Sequence, residues 1–189
     1  MRSLLLLLLV TLAGLSPAPA TTPDLALPGS DGQEHHPLKV AAGKKAVVLV
    51  FGSPFCNTAN TFLPEFNAIT EAYEESFTFY LVHSEAELEL TQVMEHKELL
   101  SVRATALLDK AQHLVKHTGA RVTPEVVVIA PDGKTLYQGR INDLYLGPTK
   151  RQRQATTADL REALDAILAS KPVSQPKTEA MGCKISGVE

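Results

Sequence analysis

Cys56 follows the fully apolar run Ala46–Phe51 and opens a stretch of helical periodicity. A strand that hands a cysteine to a helix N-terminus makes a reactive thiol. Unpaired amide N–H groups and the helix dipole stabilise the thiolate. The chemistry this permits is nucleophilic attack on a disulfide or a peroxide. The competing reading of Cys56 is a buried cysteine that serves as a small hydrophobe. The chain holds one other cysteine, Cys183. A single pair allows one intramolecular bridge and is too few for a disulfide scaffold. The histidines offer less. His35-His36 reads as a surface pair, and His113 and His117 share a helix face at i, i+4. That spacing suits a metal, but solvated helix histidines are commoner. No Cys-x-x-Cys-His haem-attachment motif occurs, so neither cofactor nor metal is assigned. Lys150, Arg151 and Arg153 read as a solvated basic loop.

Hydrophobic residues make up 44% of the 189, enough for a globular core and too many for a chain disordered throughout. The net charge of −3 gives no reason to expect nucleic acid or an anionic membrane as partner. Arg2, the apolar run Leu4–Leu15 and Ala18-Pro19-Ala20 follow one another in the order of a secretory signal peptide. The run is too short for a stable membrane span, so none is expected in the mature form. An uncleaved anchor is the other reading. No cysteine follows the run to suggest a lipoprotein. The expected location is therefore exported, periplasmic or extracellular after cleavage near Ala20, where disulfides persist. The organisation expected is a signal peptide over 1–20, one domain over 21–170 and a tail over 171–189 that carries Cys183.

The elements that must position Cys56 are legible from periodicity. Leu25–Pro28 reads as a short strand before the turn Ser30-Asp31-Gly32. Ala46–Phe51 lacks alternation, the pattern of a central strand covered on both faces. Phe62, Phe66, Ile69 and Tyr73 recur at helical spacing, which predicts a helix over Asn57–Glu75 with a kink at Pro64. A strand over Phe77–Val82, a helix over Glu85–Leu100, a strand over Ala104–Leu108 and a helix over Lys110–Thr118 ending at Gly119 follow. Pro131-Asp132-Gly133 joins the strands Val126–Ile129 and Thr135–Ile141 as an antiparallel hairpin. The last helix spans Thr157–Ser170 with Thr156 as its N-cap. The tail contains Pro172 and Pro176 and little that could pack, which suggests a mobile or surface-hugging extension. This order implies an α/β fold, a mixed central sheet with helices on both faces.

Val47–Phe51, Cys56, Pro64, Thr123-Pro124-Glu125 and Asp132-Gly133, in that order and spacing, resemble the thioredoxin-like superfamily. Within it the chain is most similar to the redoxin branch, the exported relatives of the alkyl hydroperoxide reductase and thiol-specific antioxidant proteins. The resemblance covers about 24–170. It is closer to bacterial secreted redoxin-domain proteins that read Cys-Pro-x-x-Asn, Gly-Arg-Ile-Asp/Asn-Asp and, near the C-terminus, Gly-Cys. Here these stand as Cys56-Asn57-Thr58-Ala59-Asn60, Gly139-Arg140-Ile141-Asn142-Asp143 and Gly182-Cys183. Thioredoxins place a second cysteine three positions after the first, where this chain has Ala59. Asn57 replaces the proline beside the cysteine, and Phe55 stands where thioredoxins place tryptophan.

The resemblance implies a thioredoxin-like fold in which Cys56 is the nucleophile. It also implies that Thr123 and Pro124 form a cis-proline loop that orients an extended substrate segment by strand addition. The other reading of Pro124 is an ordinary trans-proline at a strand start. A mixed disulfide or sulfenic acid on Cys56 needs a second thiol. Ala59 cannot supply it, which leaves Cys183 as the candidate resolving cysteine. The last helix spans about 21 Å, and the chain from Ser170 to Cys183 can extend roughly 43–47 Å. Cys183 therefore can return to the site, or stay free, or pair with another chain.

The leading expectation is an exported thiol–disulfide oxidoreductase. Its partners would be protein or small-molecule disulfides and an external thiol reductant or oxidant. The second expectation is a thiol-dependent peroxidase acting on peroxides. Peroxiredoxins place a proline seven residues and a threonine three residues before their cysteine, and here those positions hold Leu49 and Ser53. Arg121 and Arg140 stand near the loop where that class keeps an arginine, and sequence assigns neither the role. The third expectation is a non-catalytic binding or metal-handling module on the same fold. Exported copper chaperones of this fold use two cysteines in one short motif, and Asn60 occupies the matching place.

Overall fold

The computed structural model describes residues 23–147 and 150–188, so the expected signal peptide over 1–20 lies outside the described residues. Two short strands open the fold, β1 (Leu27–Pro28) and β2 (Glu34–His35), paired antiparallel across the Ser30–Gly32 turn. The core elements follow as β3 (Ala46–Gly52), α1 (Asn57–Tyr73), β4 (Phe77–His83), α2 (Leu90–Leu99), β5 (Thr105–Leu108) and α3 (His113–Thr118). The second half holds β6 (Val122–Thr123), β7 (Glu125–Ile129), β8 (Thr135–Gly139), β9 (Tyr145–Gly147), β10 (Lys150–Arg151), α4 (Asp159–Leu168) and β11 (Cys183–Lys184).

The central sheet has the order β5-β4-β3-β7-β8. β3, β4 and β5 run parallel, while β7 and β8 are antiparallel to their neighbours, so the sheet is mixed as expected. Every residue of β3 is buried, because each face of that strand meets an apolar layer. Val48 and Val50 join Phe62, Phe66, Ile69, Leu160 and Leu164 on the side of α1 and α4. Val47, Leu49 and Phe51 join Leu114, Val115 and Ala120 on the side of α3. That is the physical meaning of an apolar run without alternation. No helix among the described residues is long and apolar enough to cross a membrane.

Several boundaries differ from the sequence reading, each for a local reason. α2 starts at Leu90, not Glu85, because Glu89 and Gln92 exchange bonds in a capping box that sets the first turn. α3 starts at His113, not Lys110, because Gln112 sits in the left-handed region at φ 59°. β8 ends at Gly139, where Thr178 packs so closely that a side chain would overlap it. Thr156 is not the N-cap of α4; Ala158 holds that position without a side-chain bond. Instead the Thr156 hydroxyl and the amides of Thr156 and Thr157 all donate to the Asp143 carboxylate. Those donors hold Asp143 well below the usual carboxylate range, the Thr156 hydroxyl first among them.

The tail packs more than its composition suggested. Gln138 of β8 exchanges backbone bonds with the segment around Lys177: Thr178 N donates to Gln138 O at 3.0 Å and Gln138 N to Pro176 O at 2.9 Å. Further on, β11 pairs antiparallel with β6, and Ile185 is 7% exposed within the apolar layer on the α3 side. The tail thus hugs the surface at two separate clamps.

Candidate functional site

β3 delivers the chain to the site, and register decides what it meets there. Phe51 pairs with Glu125 across the β3–β7 ladder, so the residues just before Glu125 lie beside those just after Phe51. The loop Gly52–Phe55 turns the chain into α1. The Ser53 hydroxyl accepts from the Phe55 amide at 3.2 Å, and the Ser53 carbonyl accepts from the Cys56 amide at 3.2 Å. Cys56 is the N-cap of α1, in extended conformation, and its Sγ accepts from the Ala59 amide at 3.4 Å. No acidic side chain occupies the first turn of the helix. A thiolate here meets an amide donor and the positive end of a helix 17 residues long, both of which favour the charged form.

Across the site, Thr123-Pro124 is a cis peptide bond. The Thr123 carbonyl oxygen lies 3.1 Å from Cys56 Sγ. The loop is tied down by Glu125, whose carboxylate accepts from the amides of Arg121 and Val122 and from the Gln138 side chain. Cys183 is joined to Cys56 in a disulfide, with their Cα atoms 6.0 Å apart and a sequence separation of 127. Its register partner in the β6–β11 pair is Thr123. Because both sulfurs are in the bridge, the approach of Cys56 Sγ to the Thr123 carbonyl is a contact. In the free thiol the same geometry suits an S–H donor. Cys56 is 1% exposed, whereas Cys183 is exposed. Cys56, Cys183, Thr123 and Pro124 therefore come together in one place.

A cleft of about 180 Å³ opens over the bridge, lined by Ser53, Phe55, Glu85 and the strand from Cys183 to Ser186. Sequence reading missed Glu85. Its Oε2 is buried with no hydrogen-bond partner. No arginine lines this cleft among the described residues. Arg121 is exposed, and Arg140 is paired with the Asp159 carboxylate at 3.0 Å. A wider, mostly apolar groove of about 730 Å³ lies alongside and shares Phe55, which is 72% exposed.

Behind Cys56 runs a buried polar chain that sequence also missed. The Asn60 side-chain amide donates to the Pro54 carbonyl at 3.2 Å, so its oxygen faces His96 as the acceptor. His96 Nε2 must then donate to Asn60, at 3.0 Å, and its Nδ1 must accept from His83 Nε2, at 2.9 Å. His83 Nδ1 is left buried without a partner. Burial pushes the His83 imidazole down to about 3, with the neighbouring His96 adding to the effect, and burial lowers His96 too. Unfolded chain binds a proton at His83 below pH about 6.5, and the folded protein refuses it until far lower pH. Stability is therefore complete above pH 6.5 and falls as pH drops, by up to about 1.4 kcal/mol per pH unit from His83 alone. Urea unfolding at pH 6.5 and 5 is expected to differ by about 2 kcal/mol, with His83→Gln flattening the slope. A wild-type slope no steeper than the variant's would contradict this.

The mixed sheet, the helix opening at Cys56 and the Thr123-Pro124 loop together define a thioredoxin-like fold. The Redoxin family model matches residues 16–159. The chain belongs to the Redoxin family, and all of α4 after Asp159 and the tail with Cys183 lie beyond the matched residues. No curated protein matches the chain. Among solved structures, an uncharacterized conserved protein from Geobacillus kaustophilus is 24% identical, with 89% of this chain and 91% of that one covered and a TM-score of 0.73. A hypothetical protein from Sinorhizobium meliloti 1021 is 23% identical, with 86% and 90% covered and a TM-score of 0.74. A secreted Mycobacterium tuberculosis disulfide oxidoreductase homologous to E. coli DsbE is 17% identical, with 76% and 96% covered and a TM-score of 0.55.

Proposed function

We propose that this protein is an exported thiol–disulfide oxidoreductase in which Cys56 attacks and Cys183 resolves. The observation that carries the reading is the Cys56–Cys183 bridge at the N-terminus of α1. In the reducing direction, the Cys56 thiolate attacks one sulfur of a partner disulfide and forms a mixed disulfide, and the other partner sulfur leaves as a thiolate. Cys183 then attacks Cys56 Sγ. The Cys56–Cys183 bond forms, the second partner thiolate departs, and the partner has gained two electrons that the protein dithiol lost. The Cys183 thiol must shed its proton, and Glu85 offers a carboxylate oxygen in the same cleft that nothing else occupies. Thr123 and Pro124 form the wall on which a partner segment is oriented. Substrates in this reading are protein or small-molecule disulfides, with an external thiol or oxidant resetting the pair. Export rests on the 1–20 leader and on the need of a bridge for an oxidising compartment.

Peroxide chemistry has less support, since Leu49 stands where peroxiredoxins place a proline, and the cleft holds Glu85 and Lys184 but no arginine among the described residues. One experiment separates the readings. Reduced wild-type protein and Cys56→Ser are each offered a protein disulfide and, separately, hydrogen peroxide. The expected result is disulfide turnover that Cys56→Ser lowers at least about 1,000-fold, with peroxide consumed no faster than by a free cysteine. Undiminished disulfide turnover in Cys56→Ser would reject the assignment, and rapid stoichiometric oxidation of Cys56 by peroxide would replace it with a peroxidase.

A further inference from the structure

We propose that the C-terminal strand is a stand-in for the partner. The edge of β6 is a binding site for an extended polypeptide that reads glycine, cysteine, any residue, aliphatic residue. This rests on the proposed thiol–disulfide chemistry and adds to it the class of substrate.

The tail is held at this edge by three features, each of which specifies something. The first is the backbone ladder: Cys183 pairs with Thr123, Lys184 with Val122, and the Ile185 amide donates to the Arg121 carbonyl at 2.9 Å. It demands an extended segment and ignores side chains. The second is the approach of Gly182 to the loop. A Cβ there would overlap the Thr123 carbonyl, a backbone group that cannot swing aside. The residue before the cysteine must therefore be glycine. The third is Ile185, two residues beyond the cysteine and on the same side of the strand, buried in the layer that holds Leu114, Val115 and Ala120. Gln112 closes the far end by donating from Nε2 to the Ser186 carbonyl at 2.6 Å.

One edge takes one strand. Cys56 is 1% exposed under the bridge, so a partner sulfur reaches it only from the place that Cys183 now fills. The tail must therefore leave before a partner binds and return to expel it. The clamps allow this. The upstream clamp, at Pro176–Thr178 on β8, contains no sulfur. Opening the bridge leaves the downstream strand held only by the ladder, Ile185 and Gln112, which a partner can displace, with Glu179, Ala180 and Met181 between the two clamps as the hinge. What the edge accepts from the tail is then what it accepts from a partner, because both meet the same groups.

The test uses the full-length chain carrying Cys183→Ser and four-residue peptides whose cysteine is linked to thionitrobenzoate. Attack of the Cys56 thiolate on the peptide sulfur forms the Cys56–peptide disulfide and releases coloured thionitrobenzoate, the better leaving group. The peptides read Gly-Cys-Lys-Ile, Gly-Cys-Lys-Asp and Val-Cys-Lys-Ile, so the chemistry is constant and only the fit varies. The first is expected to react at least about tenfold faster than the other two. Adding Ile185→Asp, which unseats the competing tail, is expected to raise the rate of the first about tenfold. Three rates equal within twofold, or no gain from Ile185→Asp, would overturn the inference while leaving Cys56 as the nucleophile. No reaction with any peptide, nor with the free dithiobis reagent, would instead remove the nucleophile and the inference with it.

Discussion

Cys183→Ser is expected to halt the protein after one half-reaction, with the partner trapped on Cys56 as a mixed disulfide. In the wild type the resolving thiol is tethered five residues beyond the Pro176–Thr178 clamp, and the bridge shows that it reaches the sulfur it attacks. A flexible tether alone gives an effective concentration of the order of millimolar. An external thiol at about 10 μM would have to replace it, so steady-state turnover of a protein disulfide should fall about 100-fold. The first half-reaction needs only Cys56 and should change little. Added small thiol at millimolar concentration should restore turnover by taking over resolution. Acid-quenched mass spectrometry and steady-state rates measure both effects. Unimpaired turnover at low external thiol, with no adduct on Cys56, would show that Cys183 does not resolve.

Reduction of the bridge is expected to cost several kcal/mol of stability without unfolding the domain. The bridge joins residues 127 apart in sequence, so it closes a loop that contains every strand of the central sheet except β3. Chain-entropy arguments put the stabilisation from such a loop at about 5 kcal/mol, and measured bridges commonly contribute 2–4 kcal/mol. For a domain of this size each kcal/mol moves the melting midpoint by about 2–4 °C, so a fall of roughly 10 °C is expected. The fold itself should persist. The two apolar layers flank β3 independently of the sulfurs, and the Pro176–Thr178 clamp holds the base of the tail. Denaturant titration of oxidised, reduced and Cys183→Ser protein tests this. The last two should coincide, and a loss under about 1 kcal/mol on reduction would contradict the argument. The same result bears on redox poise, because a bridge that stabilises the fold is itself stabilised by it in equal measure.

Local pattern determined a good deal. The unalternating run before Cys56, the helical spacing after it and the Pro131–Gly133 turn each report contacts with near neighbours or a whole face. They sufficed for β3, α1, the β7–β8 hairpin and the thiol at a helix mouth. Chain length allowed Cys183 to reach that thiol, and also allowed it to stay free or to pair with another chain. Tertiary structure chose among these. The choice lies in the register of β11 on β6, and in a glycine at 182 that lets the strand pass against Thr123. Neither leaves a periodic mark in sequence. Glu85 looked like the start of a helix, and only the return of the tail makes it part of a cleft. His83, His96 and Asn60 belong to a strand end, a helix and a helix start, and become one hydrogen-bonded chain only when β4 lies between β3 and β5. Asp143 took Thr156 away from the capping role its position suggested. The physical reason is common to all four. Periodicity records which face of an element is buried, whereas these contacts are made where separate segments meet, and the sheet's register and the path of the loops set that meeting.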